Sequence, residues 1–351
     1  MNDGLSRGEK SSFSFPFKID ASRPMYFDAI HSFMTSFLLQ GVMKHVTVGI
    51  FHDDALGREL GKKGTVSDLV MYNKKTDDCI YTFMTPFEDK LTAKTQILSS
   101  IDAAIVNCEQ MTPQVGETIL LLDSLGITEG ILLLPAYSDR TQIHQMIKNT
   151  SLEQFTVLER NIPKIIGHLV RMEPKRDFSS PAVVITDHSF SVKGIGEVIL
   201  GFVKQGMINT HDTMMLYPAN KEVMIRSIQM QDRDFDSATA GCRVGLAIKG
   251  AAIEELKRGA MFSANGAATI NTRFTLRFTK NRYYPEIKKG MSHGTIGMQS
   301  LPVTITDITD GTITIETEKP VGYTKNDTFI LFDLNAKKLH HIGNGTVISL
   351  S

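Results

Sequence analysis

A chain of 351 residues is long enough for two or three domains, each burying its own core. With 42% hydrophobic and 22% charged residues it has the composition of an ordinary globular protein, which excludes a disordered or membrane class. Lys plus Arg, 38, balances Asp plus Glu, 38, so a uniformly basic nucleic-acid binder is excluded while a local basic patch is not.

Cys79, Cys108 and Cys242 are odd in number, far apart and without C-x-x-C spacing. Neither a zinc knuckle nor a disulfide framework follows, and a reducing cytoplasm is the simplest compartment. No apolar run approaches the roughly 20 residues of a spanning helix, and the first residues lack the pattern of a signal peptide.

Residues 1–16 are rich in Ser, Gly and charge and read as frayed. Over 24–40, Met25, Phe27, Ile30, Phe33, Met34, Phe37 and Leu38 recur at spacings of three and four, which predicts an amphipathic helix closed by Gly41. Its polar face is not Lys-rich, which favours packing on the next domain over a membrane surface. Residues 1–45 are set apart as an N-terminal extension.

From residue 46 strand and helix alternate. Strands are expected at 46–51, 79–84, 103–108 and 130–134, a helix at 114–125 ended by Gly126, a further element at 153–159 and a helix at 163–172. This order implies an α/β domain over 46–172, with a mostly parallel sheet and helices on both faces. The polar stretch EPKRDFSSP, 173–181, is a linker. Beyond it the helical period disappears. Short alternating runs broken by Gly, Asn and Asp predict two β-barrels, at 182–266 and 271–351, and Asp310-Gly311 marks a hairpin turn. The stretch 185–201, ITDHSFSVKGIGEVILG, places two alternating runs around Gly194 and Gly196 and reads as a bent barrel strand.

That stretch carries a resemblance. DHSFSVKGIGEVILG, then the strand around Arg226 to Gln229, then AGCRVGL and the closing Arg258-Gly259, resemble the second domain of translational GTPases in the elongation factor Tu and SelB branch. Within it, GKKGTVSD at 61–68 and MYN at 71–73 are similar to a small archaeal group of SelB-like factors, once proposed to serve pyrrolysine incorporation. The resemblance implies a GTPase-like α/β domain followed by two barrels. It also implies translation as the process, with aminoacyl-tRNA, the ribosome or both as partners and with neither DNA nor membrane among them.

The nucleotide motifs of that family depart from pattern here. A phosphate loop needs glycines to wrap phosphates in backbone N–H groups, a Lys for the β and γ phosphates and a Ser or Thr for Mg²⁺. In GIFHDDAL, Gly49 holds the first glycine position, but Asp54, Ala55 and Leu56 stand at the Gly, Lys and Ser/Thr places. Phe83 and Pro86 replace the Asp and Gly of D-x-x-G. In PAYSD only Asp139 keeps a position of the guanine element, and a helix N-cap for 140–148 is an equal alternative reading of it. Gly49 and Asp139 are the relic nucleotide-site residues. The expectation is a pseudo-GTPase without a cofactor, with a divergent GTPase holding GTP and Mg²⁺, or a regulatory protein-interaction module, as alternatives.

The resemblance further carries the aminoacyl-binding pocket onto Asp187, His188 and Arg243. The competing reading puts Asp187 and His188 in a capped turn, with Arg243 paired to a carboxylate on the barrel surface. Arg273, Arg277, Lys280, Arg282, Lys288 and Lys289 make the start of the third domain basic; such a run is a solvated face or, as the resemblance implies, a tRNA-phosphate surface. His340 and His341 are adjacent on a predicted strand, so they point to opposite faces and do not share a metal. No catalytic residue and no metal ligand is assigned.

Overall fold

The computed structural model describes residues 43–138, 140–264 and 266–348. The helix expected at 24–40 and the relic residue Asp139 lie outside these.

The first layer is a seven-stranded sheet in the order β2-β3-β4-β1-β5-β6-β7. Its strands are β1 (Lys44–Phe51), β2 (Lys62–Val66), β3 (Leu69–Lys75), β4 (Cys79–Pro86), β5 (Ala103–Asn107), β6 (Gly130–Leu133) and β7 (Thr156–Leu158). The pairs β4–β1, β1–β5, β5–β6 and β6–β7 are parallel, while β2 and β3 run antiparallel at one edge. Strand periodicity sends alternate side chains to opposite faces. Val46, Val48 and Ile50 join Leu56 and Leu60 of α1 (Asp54–Leu60) and Ile165 and Leu169 of α5 (Ile162–Leu169). Phe51, Ala104 and Val106 join Ile97, Ile119 and Ile143 on the other face, from α2 (Leu91–Leu98), α3 (Pro113–Ser124) and α4 (Arg140–Ile147). Both faces are therefore buried, as a parallel sheet requires. At 153–159 the chain forms a 3-10 turn, Ser151–Gln154, capped by the Thr150 hydroxyl, and only then enters β7.

A coil through 173–181 leads to β8 (Val183–Val192). The expected bent strand at 185–201 is instead a hairpin: β8 turns back into β9 (Gly196–Gln205), with Gly194 in the turn at φ +84° and Gly196 opening β9 at φ +100°. Gly201 lies where a Cβ would collide with the Ile185 carbonyl, so its place in the motif is a packing requirement. The first barrel continues with β10 (Met207–Asn209), β11 (Thr213–Tyr217), β12 (Lys221–Met230), β13 (Arg233–Phe235), β14 (Ser237–Thr239), β15 (Arg243–Lys249) and β16 (Met261–Ser263). It closes through the β11–β12 pairing.

The second barrel is closed, in the order β17-β20-β19-β18-β21-β22. It comprises β17 (Thr269–Lys280), β18 (Gly290–Ile296), β19 (Gln299–Thr309), β20 (Thr312–Tyr323), β21 (Thr328–Phe332) and β22 (His341–Val347). Asp310-Gly311 forms the two-residue turn between β19 and β20, with Gly311 at φ +72°. Among the described residues no helix is long and apolar enough to cross a membrane.

The layers share one interior. The cluster on the α2–α4 face continues without a break through Val183, Ile185 and Phe202 of the first barrel to Met298, Ile330 and Phe332 of the second. Buried hydrogen bonds add direction: Thr95 to Thr295 at 2.9 Å, and Gln96 Nε2 to the Met298 carbonyl at 2.9 Å. Arg176 of the linker spans another junction. It donates to both Asp102 oxygens at 2.6 and 2.7 Å and to the His45 carbonyl at 3.0 Å, while packing against Gly241 of the first barrel.

Two outcomes follow. Gly241 sits at φ +92°, and a Cβ there would strike the Arg176 guanidinium. Gly241→Ala is expected to lower the free energy of unfolding by about 2 kcal/mol, read from urea denaturation. Burial, reinforced by Arg176, lowers the pKa of His45 to about 4, and burial lowers that of the fully enclosed His341 to about 4. The unfolded chain, with His near 6.5, takes up these protons first on acidification. Their contribution is thus complete above about pH 6.5 and is lost toward pH 4. Urea midpoints should decline over that window, and less steeply in His341→Gln.

Candidate functional site

The end of the parallel sheet where a phosphate loop would sit is built from charged side chains. β1 runs to Phe51 and α1 starts at Asp54, leaving only His52 and Asp53 between them. His52 takes a left-handed φ of 62° to make this sharp turn. Asp53 caps α1 by accepting from the Leu56 amide at 3.0 Å, and Arg160 grips Asp53 at 2.7 and 3.3 Å and Glu59 at 2.9 Å through two nitrogens. The backbone N–H groups that a phosphate loop presents are here met by a carboxylate of the chain itself. Beside them, burial together with Asp89 and Asp53 raises the pKa of Asp54, while burial and Lys94 lower that of His52 to about 4. Asp89 is held by Lys94 at 2.8 Å, and His52 Nε2 meets the Thr118 hydroxyl at 2.9 Å.

Gly49, expected as a relic of the nucleotide loop, lies inside β1. It pairs with Met84 and Ala104, and a Cβ there would press on Phe51, Ile97 and Ile101. Its requirement is packing. Phe83 is fully buried and Pro86 ends β4.

Asp187 and Arg243 do come together. The register of β8 against β9 slips between Thr186 and His188, so Asp187 is a bulged residue, re-aimed by that extra position. Its side chain is 1% exposed. Arg243 Nε donates to Oδ2 at 3.0 Å and Nη2 to Oδ1 at 3.3 Å, the two-pronged arrangement that favours Arg over Lys. Arg258, from the closing Arg-Gly, donates to the Asp187 carbonyl at 3.0 Å. Each arginine then reaches the β2–β3 hairpin of the α/β layer. Arg243 Nη2 donates to the Thr65 hydroxyl at 3.2 Å; Arg258 donates to the Ser67 hydroxyl at 2.6 Å and pairs with Asp68. Asp187 and His188 are thus strand residues, not a capped turn, and the carboxylate that Arg243 meets is Asp187. His188 stays half-buried, its ring 5.9 Å from that of Phe190 and apart from the arginine pair.

The hairpin so held forms one wall of a cleft of about 530 Å³; β9, β12 and β15 form the other. Lys62, Lys63, Lys75 and Arg243 line it, against one carboxylate, Asp232. Gln231 and Asp232 both have left-handed φ, 51° and 60°, in the tight β12–β13 turn at its rim. Of the three pocket residues expected from the sequence, Arg243 alone lines this cleft. The lysines and Gln229 went unassigned, although Lys62 and Lys63 stood in a quoted motif, because no rule of spacing links an edge strand of one domain to a barrel of another.

The basic run of the second barrel is partly neutralised. Arg273 pairs with Glu316 at 2.9 Å, Lys289 with Asp307 at 2.7 Å, and Lys280 donates to backbone carbonyls including Pro285 at 3.0 Å. His340 and His341 both donate their backbone N–H to Glu117 of α3, at 2.6 and 2.9 Å, and the Glu117 carboxylate also meets His340 Nδ1 at 3.0 Å. No group of three or more His, Cys, Asp or Glu among the described residues forms a metal-ligand set.

Removing Asp187 leaves the enclosed Arg243 without its carboxylate. Asp187→Ala is expected to cost roughly 3 kcal/mol, and the double variant Asp187→Ala, Arg243→Met to recover part of it. Urea denaturation checks both; a double variant less stable than the single one would show that the pair itself, and not the orphaned charge, sets the cost.

Residues 196–263 match the family model described as elongation factor Tu domain 2. An uncharacterized protein of Methanocaldococcus jannaschii is 34% identical over 300 residues, covering 84% of this chain and 97% of the relative. The selenocysteine-specific elongation factor of the same organism is 28% identical over 236 residues, 58% of this chain and 49% of that factor. Among solved structures, translation elongation factor SelB from Methanococcus maripaludis, in complex with the GTP analogue GppNHp, superposes with a TM-score of 0.75 at 21% identity, covering 88% of this chain and 80% of that one. A bacterial selenocysteine-specific elongation factor gives 0.73 at 16%, covering 87% and 58%. With the α/β layer and two barrels in the same order, this chain belongs to the translational GTPase superfamily, in its elongation factor Tu and SelB-like branch.

Proposed function

We propose that this chain is a SelB-like translation factor that takes the aminoacyl end of a tRNA into the cation-lined cleft, and that it does so without hydrolysing GTP in the manner of its relatives. The observation that carries the reading is the cleft itself. Lys62, Lys63 and Lys75 come from one domain, Arg243 from another, and only Asp232 opposes them. A tRNA acceptor end brings phosphates, and neutralising them releases condensed counterions, the dominant source of affinity for a nucleic acid. Arg243 keeps Nη1, which makes no hydrogen bond among the described residues, while Asp187 fixes the rest of the guanidinium. Asp187 therefore positions the arginine and does not itself meet the ligand. Gln229 and Gln231 offer amides for a ribose or base edge.

The nucleotide part of the proposal rests on the β1–α1 connection. A two-residue turn has no loop to wrap phosphates, and Asp53, Asp54 and Asp89 crowd negative charge where phosphates would carry theirs. Like charges a few ångström apart repel by several kcal/mol in a partly buried site. The chain then binds as a carrier, in the cytoplasm, with the ribosome as a second partner for its barrels.

Two measurements test this. Titration calorimetry with GTP or GDP and Mg²⁺ is expected to show no saturable binding; micromolar, Mg²⁺-dependent binding would refute the nucleotide part. Lys62→Glu with Lys63→Glu is expected to weaken aminoacyl-tRNA binding by about 10-fold or more and to flatten its dependence on salt. Unchanged affinity in that variant removes the cleft as the tRNA site.

A further inference from the structure

A second cleft, of about 670 Å³, lies between α3, α4 and the second barrel. It falls in the size range of ligand pockets and at a domain junction, where such pockets concentrate. Its aromatic side chain is Tyr283, 62% exposed, with the Arg282 guanidinium 4.9 Å from the ring centroid. The ring stands on a fixed base. Asn281 accepts from the Tyr283 amide at 3.0 Å through its side chain and from the Tyr284 amide at 3.0 Å through its carbonyl, and its own amide meets buried His341 Nδ1 at 3.0 Å. An aromatic face presented to solvent on so rigid a loop is preorganised to stack.

The cations of this cleft lack carboxylate partners among the described residues. Lys148 and Arg282 line it, and among the described residues neither has a carboxylate within salt-bridge distance. Glu117, the acid in the lining, is spent on the backbone N–H groups of His340 and His341 and on His340 Nδ1. The floor has a gap of its own. Gly116 sits within α3, where glycine costs about 1 kcal/mol relative to Ala, yet nothing lies within 4 Å of where its Cβ would be. No neighbouring side chain demands a glycine at this place, and the bare helix backbone leaves room for a flat ring. Gln142, Gln145 and Asn149 supply amide donors and acceptors at the edge.

A face for stacking, two cations for phosphate, amides for a base edge and a floor without a side chain together describe one ligand. We infer that this cleft holds an unpaired nucleotide of RNA, its base on Tyr283, its phosphate between Lys148 and Arg282, and its edge read by the amides. An amphipathic protein helix fits less well, because among the lining Ile, Leu and Met side chains Met146 alone is exposed, at 36%, while Ile119 is only 2% exposed. The inference rests on the RNA-binding reading above and adds a site remote in sequence from the acceptor-end cleft, so the RNA would be held at two places. Base–aromatic stacking of this kind is worth roughly 1–3 kcal/mol per base.

The chain has no Trp, so a short single-stranded oligoribonucleotide carrying 2-aminopurine reports stacking by its own fluorescence. With the full chain, saturable quenching is expected. Tyr283→Phe should leave affinity within about threefold, while Tyr283→Leu and Gly116→Met should each lower it roughly 10-fold. Tyr283 is exposed, so its replacement does not threaten the fold. Equal binding by wild type and Tyr283→Leu overturns the assignment. Adenosine monophosphate binding as tightly as the oligonucleotide overturns it in favour of a free nucleotide, and displacement by an acidic amphipathic peptide alone overturns it in favour of a protein segment. The Lys62→Glu, Lys63→Glu variant is run alongside. It should still quench the probe, and if wild type binds aminoacyl-tRNA but never quenches, this inference fails while the acceptor-end reading stands.

Discussion

Asp187 is the point on which the arrangement of the α/β layer and the first barrel turns. Its carboxylate holds one arginine, its carbonyl holds another, and both arginines spend their remaining nitrogens on the same hairpin of the neighbouring domain. A buried pair between only two charged groups is weak evidence for stability, because desolvation offsets the Coulomb gain. Here the gain is geometric. Planar guanidinium groups fix direction as well as distance, so an edge strand that would otherwise hang from the sheet becomes a wall of the cleft. The bulge in β8 makes this possible, since a regular strand would send residue 187 to the other face.

The same economy appears at the end of the sheet. Asp53 closes the start of the first helix and Arg160 clamps the closure. Negative charge from Asp54 and Asp89 is tolerated there because Lys94, Arg58 and Arg160 lie around it. The α/β layer serves as a scaffold: it supplies Lys62, Lys63 and Lys75 to one cleft and Gly116 and Lys148 to the other.

Much of this was legible in the sequence, for reasons that differ by element. The parallel strands were readable because their two-sided burial demands unbroken apolar runs, as in AAIVN and GILL, and the Asp310-Gly311 turn because few dipeptides accept its backbone. The second-domain motif identified its fold through residues whose roles prove to be packing: Gly201 against a carbonyl, Gly241 against Arg176. The pairing of Arg243 with Asp187 was half visible, since both were singled out, but a bulge leaves no mark in periodicity and turned an expected pocket acid into a strut. His188, carried over from the same resemblance, stands beside Phe190 and apart from the arginine pair. The cleft lysines and Arg258 stayed hidden as a site because their meaning depends on how domains dock. Docking is decided by surface shape over residues hundreds apart, to which no local pattern is sensitive.

The shared interior has a consequence for how such a chain changes over generations. Ile330 and Phe332 belong to a barrel, yet they complete the core that α2, α3 and α4 cover. A methylene gained or lost at either is felt in the sheet of another domain, because close-packed interiors transmit volume changes and absorb few of them. The three modules cannot be exchanged with those of a relative one at a time. The α/β domain is thereby kept as the floor on which the barrels stand.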